Sequence, residues 1–107
     1  MNNRKVYISG EIVPEVDAKI SIFDSAVLLG DTVTESTRTF NFKPFKLDEH
    51  LERLYKSFKL TRIDPQMTIE EMKKVSLELL EINKDNYKAN EDCWLVHNIS
   101  RGHSITG

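Results

Sequence analysis

Three polar residues recur on one face of a basic amphipathic segment near the middle of the chain. His50, Arg53 and Ser57 are spaced by three and four positions, so in a helix they share a face. That face lies beside the apolar stripe, which allows Arg53 to point sideways into a cleft. A guanidinium suits a phosphate because it stays charged and offers a planar fork of hydrogen-bond donors. The segment is therefore a candidate anion site.

A simpler interpretation of the same arginine is an ion pair on the helix surface. Glu49 precedes Arg53 by four residues, and such a pair contributes about a few tenths of a kcal/mol. On the residue pattern alone, this surface pair is favoured over an anion site. His50 is likewise typical of helix packing or of support for another residue, and no nucleophile and base arrangement lies near it. We therefore predict no catalytic residue in this chain.

A strand of β-branched and polar residues precedes that helix, from Thr32 to Phe40. Alternation predicts that one face carries Val33, Glu35, Thr37 and Thr39, and the other Thr34, Ser36, Arg38 and Phe40. Both faces carry polar groups, whereas a plain core strand has one apolar face. The pattern therefore predicts that one side of the strand looks into a cleft. Glu35 and Arg38 fall on opposite faces and cannot pair within the strand.

The elements that must position these residues are short at the start of the chain. Apolar runs predict a hairpin from Val6–Ile8 and Ile12–Pro14, and alternation predicts a strand over Ala18–Phe23. Asp24 is expected to cap one helical turn that ends at Gly30, and Asp31 to form a turn. A turn at 41–44 then leads to a brief strand at Phe45-Lys46.

Two helices and a strand follow. With Asp48 as N-cap, the first helix is predicted over 48–60, and its buried stripe is Leu47, Leu51, Leu54, Tyr55 and Phe58. Thr68 and Glu71 form a capping box that starts the second helix. Its inward residues are predicted to be Ile69, Met72, Val75, Leu79 and Ile82. The last strand covers Cys93–Ser100, with Trp94 expected in the core.

This order of elements predicts an α+β fold with a mostly antiparallel sheet packed against two helices. The 107 residues suit a single domain over 1–107. A net charge of -2 gives no overall attraction to nucleic acid or acidic membranes. One Cys and three His show no metal-ligand spacing. The polar N-terminus and the absence of a long apolar run predict a soluble, cytoplasmic protein without a signal peptide or membrane span.

Several segments together resemble the N-terminal half of the class IV, or fold type IV, pyridoxal-phosphate aminotransferases. These are the opening VYISGEIVPEVDAKISIFDSAVLLGD, the strand and helix GDTVTESTRTFNFKPFKLDEHLERLYKSFKL, and the final WLVHNISRG. The family includes branched-chain and D-amino acid aminotransferases and aminodeoxychorismate lyase. The likeness spans about the whole chain, and the histidine followed three residues later by an arginine is its most specific element.

The resemblance implies roles for three residues. Arg53 would bind the phosphate of pyridoxal 5'-phosphate. Thr34 occupies a strand position where many family members place an aromatic residue facing the substrate, and Arg38 is similar to an arginine that borders the pocket in branched-chain members. His103 and Thr106 fall where relatives carry a mobile loop for the substrate carboxylate, but no matching arginine is present and no role is assigned there.

The resemblance also implies that the chain is half an enzyme. In this family the lysine that binds the cofactor covalently lies in a following domain, and none of the lysines here matches it. The isolated chain is therefore predicted to be inactive, and its implied partners are the C-terminal domain and a second copy in a homodimer. When complete, such an enzyme transfers an amino group from an amino acid, branched-chain by default, to a 2-oxo acid.

Two alternatives stay open from the sequence. An aminodeoxychorismate lyase shares the fold but eliminates pyruvate, and the residues here do not separate it from a transaminase. A noncatalytic α+β module that binds a partner through its polar strand is the second. Coding sequence beyond Gly107 that contains a strand lysine would distinguish this module from either half-enzyme.

Overall fold

A β-hairpin opens the chain and stands apart from the main sheet. In the computed structural model, which describes residues 3–102, β1 (Lys5–Ile8) pairs antiparallel with β2 (Glu11–Pro14). Gly10 in the turn between them has a φ of 87°, a conformation that glycine adopts without strain. The predicted hairpin is therefore confirmed. A short 3-10 turn, Glu15–Asp17, follows it.

The main sheet has three antiparallel strands in the order β4, β3, β5. The central strand β3 is Thr32–Phe40, as the sequence predicts, and β5 is Trp94–Ser100. β4 is only Lys43–Pro44, so the brief strand predicted at Phe45-Lys46 is displaced by two residues. The β3 and β5 strands pair over seven positions, with Glu35 opposite His97 and Arg38 opposite Trp94.

Three helices complete the fold. The short α1 is Ser25–Leu29, α2 is Leu47–Thr61 and α3 is Ile69–Asn83, and a 3-10 turn follows α3 at Lys84–Asn86. α2 lies against β3, and α3 lies against α2 and the hairpin strand β1. The predicted α+β fold class, with an antiparallel sheet against two long helices, is confirmed.

The helix starts show where local sequence signals hold and where one fails. Asp24 accepts a hydrogen bond from the Ala26 backbone N–H at 2.9 Å, and Thr68 forms the predicted capping box with Glu71. Asp48, in contrast, is not the N-cap of α2. The helix begins one residue earlier, after Lys46 in a left-handed conformation, so Asp48 lies in the first turn, where a negative charge favours the helix dipole.

The core forms where α2 meets the sheet and α3. Its centre is Leu51 and Leu54 of α2, with Phe58, Met72 and Leu95 around them. The predicted stripe of α2 is therefore confirmed, with Tyr55 half-buried at its border. The chain folds this way because these residues recur at the helical period and need a shared apolar neighbour.

The inward face of α3 differs from its predicted stripe. The buried residues are Met72, Ser76, Leu80 and Asn83, whereas Ile82 is exposed. The Asn83 amide exchanges hydrogen bonds with the backbone of Lys5 in β1, accepting at 2.8 Å and donating at 3.0 Å. This polar link to the hairpin turns Asn83 inward and Ile82 outward.

Two further sequence expectations are wrong. Ala18–Phe23 is not a strand but an irregular segment with exposed Ile20, Ile22 and Phe23, because no described strand lies alongside to pair with it. Trp94 is 64% exposed and not in the core. Alternation along β5 sends Leu95 and His97 inward, which leaves Trp94 beside its register partner Arg38 on the other side of the sheet.

The sheet therefore has two distinct sides. We call the side against the helices the inner face; it carries Glu35, Thr37, Thr39, Leu95 and His97, all buried. The opposite side is the outer face; it carries Thr34, Ser36, Arg38, Phe40, Trp94, Val96 and Asn98, all exposed. Within residues 3–102, a search for helices of a length and apolarity suited to crossing a bilayer finds none.

Candidate functional site

Arg53 projects from α2 onto a carboxylate of the neighbouring strand. Its Nε donates a hydrogen bond to Oε2 of Glu35 at 3.0 Å, and its Nη2 donates to Oε1 of the same carboxylate. Glu35 belongs to the inner face and is only 6% exposed, whereas the Arg53 side chain is 68% exposed. The guanidinium is thus held on one edge by a buried group, and its other edge faces outward.

His50 completes this cluster from the preceding turn of α2. Its Nδ1 lies 2.7 Å from Oε1 of Glu35. Since an ionised carboxylate only accepts hydrogen bonds, Nδ1 carries the hydrogen and donates. His50 and Arg53 therefore do share one face of α2, as their spacing predicts, and that face meets the edge of β3. For Ser57 the contact shown is through its backbone, whose carbonyl accepts from the Thr61 hydroxyl.

Electrostatics keep both partners of the central pair charged. The hydrogen bond from Arg53 is the largest influence on Glu35 and lowers the pKa of its carboxyl, burial opposes this, and the hydrogen bond from His50 lowers the pKa further. The same hydrogen bond from Arg53 to Glu35 raises the pKa of the guanidinium. The cluster is therefore an ionised carboxylate between two donors.

This arrangement can bind an oxyanion. A guanidinium has five N–H donors in a plane, and Glu35 accepts from two nitrogens on one edge, so donors on the remaining edge stay available. Because that edge is exposed, a phosphate group can approach it without breaking the pair. A fixed, permanently charged fork next to a buried counter-charge fits the phosphate of a cofactor such as pyridoxal phosphate.

The observed partner of Arg53 replaces the surface pair with Glu49 that the sequence favoured. Glu35 lies 18 residues earlier in the chain, so helical spacing could not reveal it. One signal could have done so: strand alternation places Glu35 on the side facing the core, and a buried carboxylate requires a partner. The nearest basic face on the following helix is that of His50 and Arg53.

Thr34 and Arg38, by contrast, lie on the outer face of β3. Both are exposed, and the Arg38 guanidinium stands 4.9 Å from the centre of the Phe40 ring. The structure brings them onto one surface but does not bring either into contact with Arg53, whose partner Glu35 points the other way. Over 32–37, the strands described pair with β3 only on its β5 side, so an open strand edge separates the two groups.

Two cavities border these surfaces. One of about 340 Å³ is lined by Arg38 with Asn90, Asp92, Cys93 and Trp94. A larger one of about 620 Å³ lies between the hairpin, α3 and β5, and its lining includes Tyr7, Met67, Val75, His97 and Arg101. The larger cavity is lined by none of Arg53, Thr34 and Arg38, so its size alone does not make it the anion site.

A second buried histidine was missed by the sequence reasoning. His97 Nε2 lies 2.8 Å from the Ser76 hydroxyl, which itself donates to the Met72 carbonyl at 2.7 Å. The hydroxyl hydrogen is thus used, so Nε2 donates, and the buried Nδ1 has no partner in the described part of the chain. Burial lowers the pKa of His97, which favours the neutral ring. Its role here is to join β5 to α3.

Other candidate residues resolve more simply. Asp31 binds Arg101 with two hydrogen bonds, the shorter at 2.7 Å from Nε. No group of three or more His, Cys, Asp or Glu side chains within residues 3–102 is arranged to hold a metal ion. His103 and Thr106 lie outside the described residues.

Comparison with known proteins identifies the class. Residues 32–105 match the family model of class IV amino-transferases, which is more than half of the chain, so the chain belongs to this family. A provisionally named branched-chain-amino-acid aminotransferase of Methanocaldococcus jannaschii is 47% identical over 79 residues, covering 74% of this chain and 27% of that protein. The D-alanine aminotransferase of Staphylococcus haemolyticus is 37% identical over 79 residues, 74% of this chain and 28% of that protein.

A solved structure extends the likeness to the whole fold. The branched-chain amino acid aminotransferase of the organism T.th., complexed with N-(5'-phosphopyridoxyl)-L-glutamate, superposes with a TM-score of 0.81 at 25% identity. That match covers 100% of this chain and 36% of the solved one. The chain therefore spans between about a quarter and about a third of the length of the proteins it resembles.

Proposed function

We propose that this chain is the N-terminal part of a pyridoxal-phosphate-dependent class IV aminotransferase of the branched-chain type. The complete protein would transfer an amino group from an amino acid to a 2-oxo acid. The observation that carries the proposal is the Arg53 guanidinium, oriented by Glu35 with its free donors exposed. The family match, and relatives named as aminotransferases, favour this function over a lyase or a noncatalytic module.

The residues of this chain would bind and orient, and none would carry out the covalent step. Arg53 would hold the cofactor phosphate with its free N–H donors, and Thr34 and Arg38 would form part of the substrate pocket wall on the outer face. Bound pyridoxal phosphate supplies an electron sink that allows an amino group to be exchanged. The lysine that holds the cofactor would belong to a following domain.

Exposed apolar surface supports the proposed partners. Phe40, Trp94 and Val96 are exposed on the outer face, and a second exposed apolar group includes Ile22, Phe23, Val27, Leu28 and Leu29 around α1. Apolar groupings of this kind usually mark surfaces that another chain or domain covers. We assign them to the C-terminal domain and to a second copy in a homodimer. One lone cysteine suits a cytoplasmic location.

The first test is the coding sequence that follows codon 107. We expect the reading frame to continue into a domain that carries a lysine on a strand, about fifty residues on if domain connections have their usual lengths. A stop codon directly after Gly107 would contradict the proposal that this chain is one part of a larger enzyme. Steady transaminase turnover by the 107-residue chain alone would contradict it as well.

The second test concerns the phosphate. In the protein translated from the complete reading frame, Arg53→Gln should weaken binding of pyridoxal phosphate by about ten- to a hundredfold, the loss expected for hydrogen bonds to a charged group. Lys56→Gln is the control, because it removes one exposed positive charge from the same helix. Equilibrium dialysis measures both. Equal affinity of the Arg53 variant and the wild type would exclude Arg53 from the site.

A further inference from the structure

We propose that Glu35 is a positioning residue for the phosphate contact. With His50, it fixes the Arg53 guanidinium in one orientation, so that the free N–H edge is presented to the cofactor phosphate. This inference rests on the proposed function, because it assigns the means by which that site is preorganised. It concerns two residues to which the family resemblance gave no role.

The difference in burial between the two partners supports this role. An arginine that is 68% exposed on a helix normally samples many rotamers, and ion pairs between two exposed side chains hold such residues weakly. Here the acceptor is not exposed. Glu35 is 6% exposed and is part of the β3–β5 ladder opposite His97, so its backbone is fixed. Two hydrogen bonds from one guanidinium to such an anchor determine the plane of the guanidinium as well as its position.

His50 restrains the other partner. Its Nδ1 hydrogen occupies Oε1 of Glu35 at 2.7 Å, the oxygen that also accepts from Nη2 of Arg53. His50 lies one helical turn before Arg53, so both donors are fixed to the same rigid element. The carboxylate therefore cannot rotate about its terminal bond without losing both contacts, and the guanidinium orientation is set by two elements of the fold.

A competing explanation predicts the opposite effect on binding. If Glu35 only neutralised Arg53, its negative charge would repel a phosphate, and removing that charge would strengthen the binding of a phosphate. If Glu35 positions Arg53, removing the charge releases the guanidinium and weakens binding. The sign of the change thus decides between neutralisation and positioning.

The first experiment observes the guanidinium directly. In the ¹⁵N NMR spectrum of the 107-residue chain, the Arg53 Nε–H should exchange slowly with water and show restricted motion, unlike that of exposed Arg62, which serves as the internal reference. Glu35→Gln should make Arg53 resemble Arg62. A wild-type Arg53 as mobile as Arg62 would overturn the proposal, and this observation needs no variant to fold.

The second experiment isolates the phosphate contribution. For the protein from the complete reading frame, the ratio of the affinities for pyridoxal phosphate and for pyridoxal, which lacks the phosphate, reports that contact. Glu35→Gln should lower this ratio by about two- to tenfold, the expected cost of ordering one long side chain on binding. Glu49→Gln, which removes an exposed carboxylate from α2, should leave it unchanged.

The outcomes separate this proposal from the proposed function. A wild-type ratio near one would remove the phosphate site and with it both proposals. A high wild-type ratio that Glu35→Gln leaves unchanged or raises would overturn positioning alone. If Glu35→Gln fails to fold, Arg53→Lys replaces it: lysine keeps the charge but cannot form the fork, so the ratio should fall, and an unchanged ratio would show that orientation is unimportant.

Discussion

The two faces of strand β3 carry similar residues in opposite surroundings. The inner face has Glu35, Thr37 and Thr39, and the outer face has Thr34, Ser36 and Arg38. All three inner residues are buried against helices, whereas all three outer residues are exposed. Polarity on a strand therefore does not by itself mark a cleft. On the inner face it connects elements of the fold and orients Arg53, and only the outer face remains available for contact with another surface.

The largest expected effect tests whether the inner side is the true core. Leu54 of α2 is 0% exposed, and Leu54→Ala should lower the free energy of unfolding by about 2–5 kcal/mol, through lost burial and a cavity. Urea denaturation followed by circular dichroism measures this. Leu60→Ala is the matched control on the same helix, because Leu60 is 85% exposed, and it should change stability by no more than about 0.5 kcal/mol. Similar losses for the two variants would mean that α2 is packed by a different face.

Two threonines on the inner face sharpen the comparison, since both are 0% exposed but only one is bonded. The Thr39 hydroxyl donates to Asp92 Oδ1 and accepts from the Cys93 N–H, each at 2.9 Å. Thr39→Val should therefore destabilise the chain by about 1–3 kcal/mol.

Thr37→Val is the matched control for that change. The Thr37 hydroxyl has no hydrogen-bond partner among residues 3–102, so replacing it by a methyl group should leave stability unchanged or raise it by about 1 kcal/mol. Equal destabilisation by both valines would show that the side-chain shape, and not the hydroxyl bonding, matters on this face.

The inner face should also make stability depend on pH. Burial lowers the pKa of His97 below its ordinary value of 6.5, so the unfolded chain takes up this proton before the folded chain does. Stability should then fall as the pH drops below about 6.5, with a slope of at most about 1.4 kcal/mol per pH unit for one proton. Urea denaturation at a series of pH values measures the slope, and His97→Gln should flatten it. An equally steep slope in that variant would assign the effect to another group.

Glu35 should act in a lower pH range. Its folded pKa is lowered by Arg53, so its contribution is present above the ordinary value of 4.5 and is lost as the pH falls through the lower folded value. The two pH ranges are separate, and Glu35→Gln should affect only the more acidic one.

The smallest expected effect lies on the outer face. Trp94 is the only tryptophan and is 64% exposed, so Trp94→Ser should change the free energy of unfolding by no more than about 0.5 kcal/mol. The wild-type chain at low concentration should show the fluorescence emission of a hydrated indole and be readily quenched by iodide. A shielded emission that persists on dilution would place Trp94 in a buried setting and remove the difference between the faces.

Signals within a few residues of sequence predicted much of the fold. Alternation assigned the faces of β3 correctly, and the capping residues Asp24, Thr68 and Glu71 were correct because their partners are two or three residues away. Asp48 failed because an acidic residue suits the first turn as well as the cap. Trp94 failed because its size suggested burial, although its position in the alternation placed it outside.

The candidate site was predicted in half. The spacing of His50 and Arg53 gave their common face on α2, but their partner Glu35 lies on another element. Periodicity defines the face of each element and not which faces meet, since that depends on packing of the whole domain. The roles of Thr34 and Arg38 came from the resemblance alone, and their outer-face surroundings would be completed by another domain.

Arg101 has a mechanical consequence for the helix that carries the candidate site. Its Nη1 and Nη2 donate to the carbonyls of Arg62 and Thr61 at the end of α2, at 3.1 and 2.9 Å, while its Nε binds Asp31 just before β3. Thr61 lies eight residues beyond Arg53, about 12 Å along the helix axis. The helix is therefore anchored at two separated points, and it can neither slide along β3 nor turn about its axis without releasing one of them.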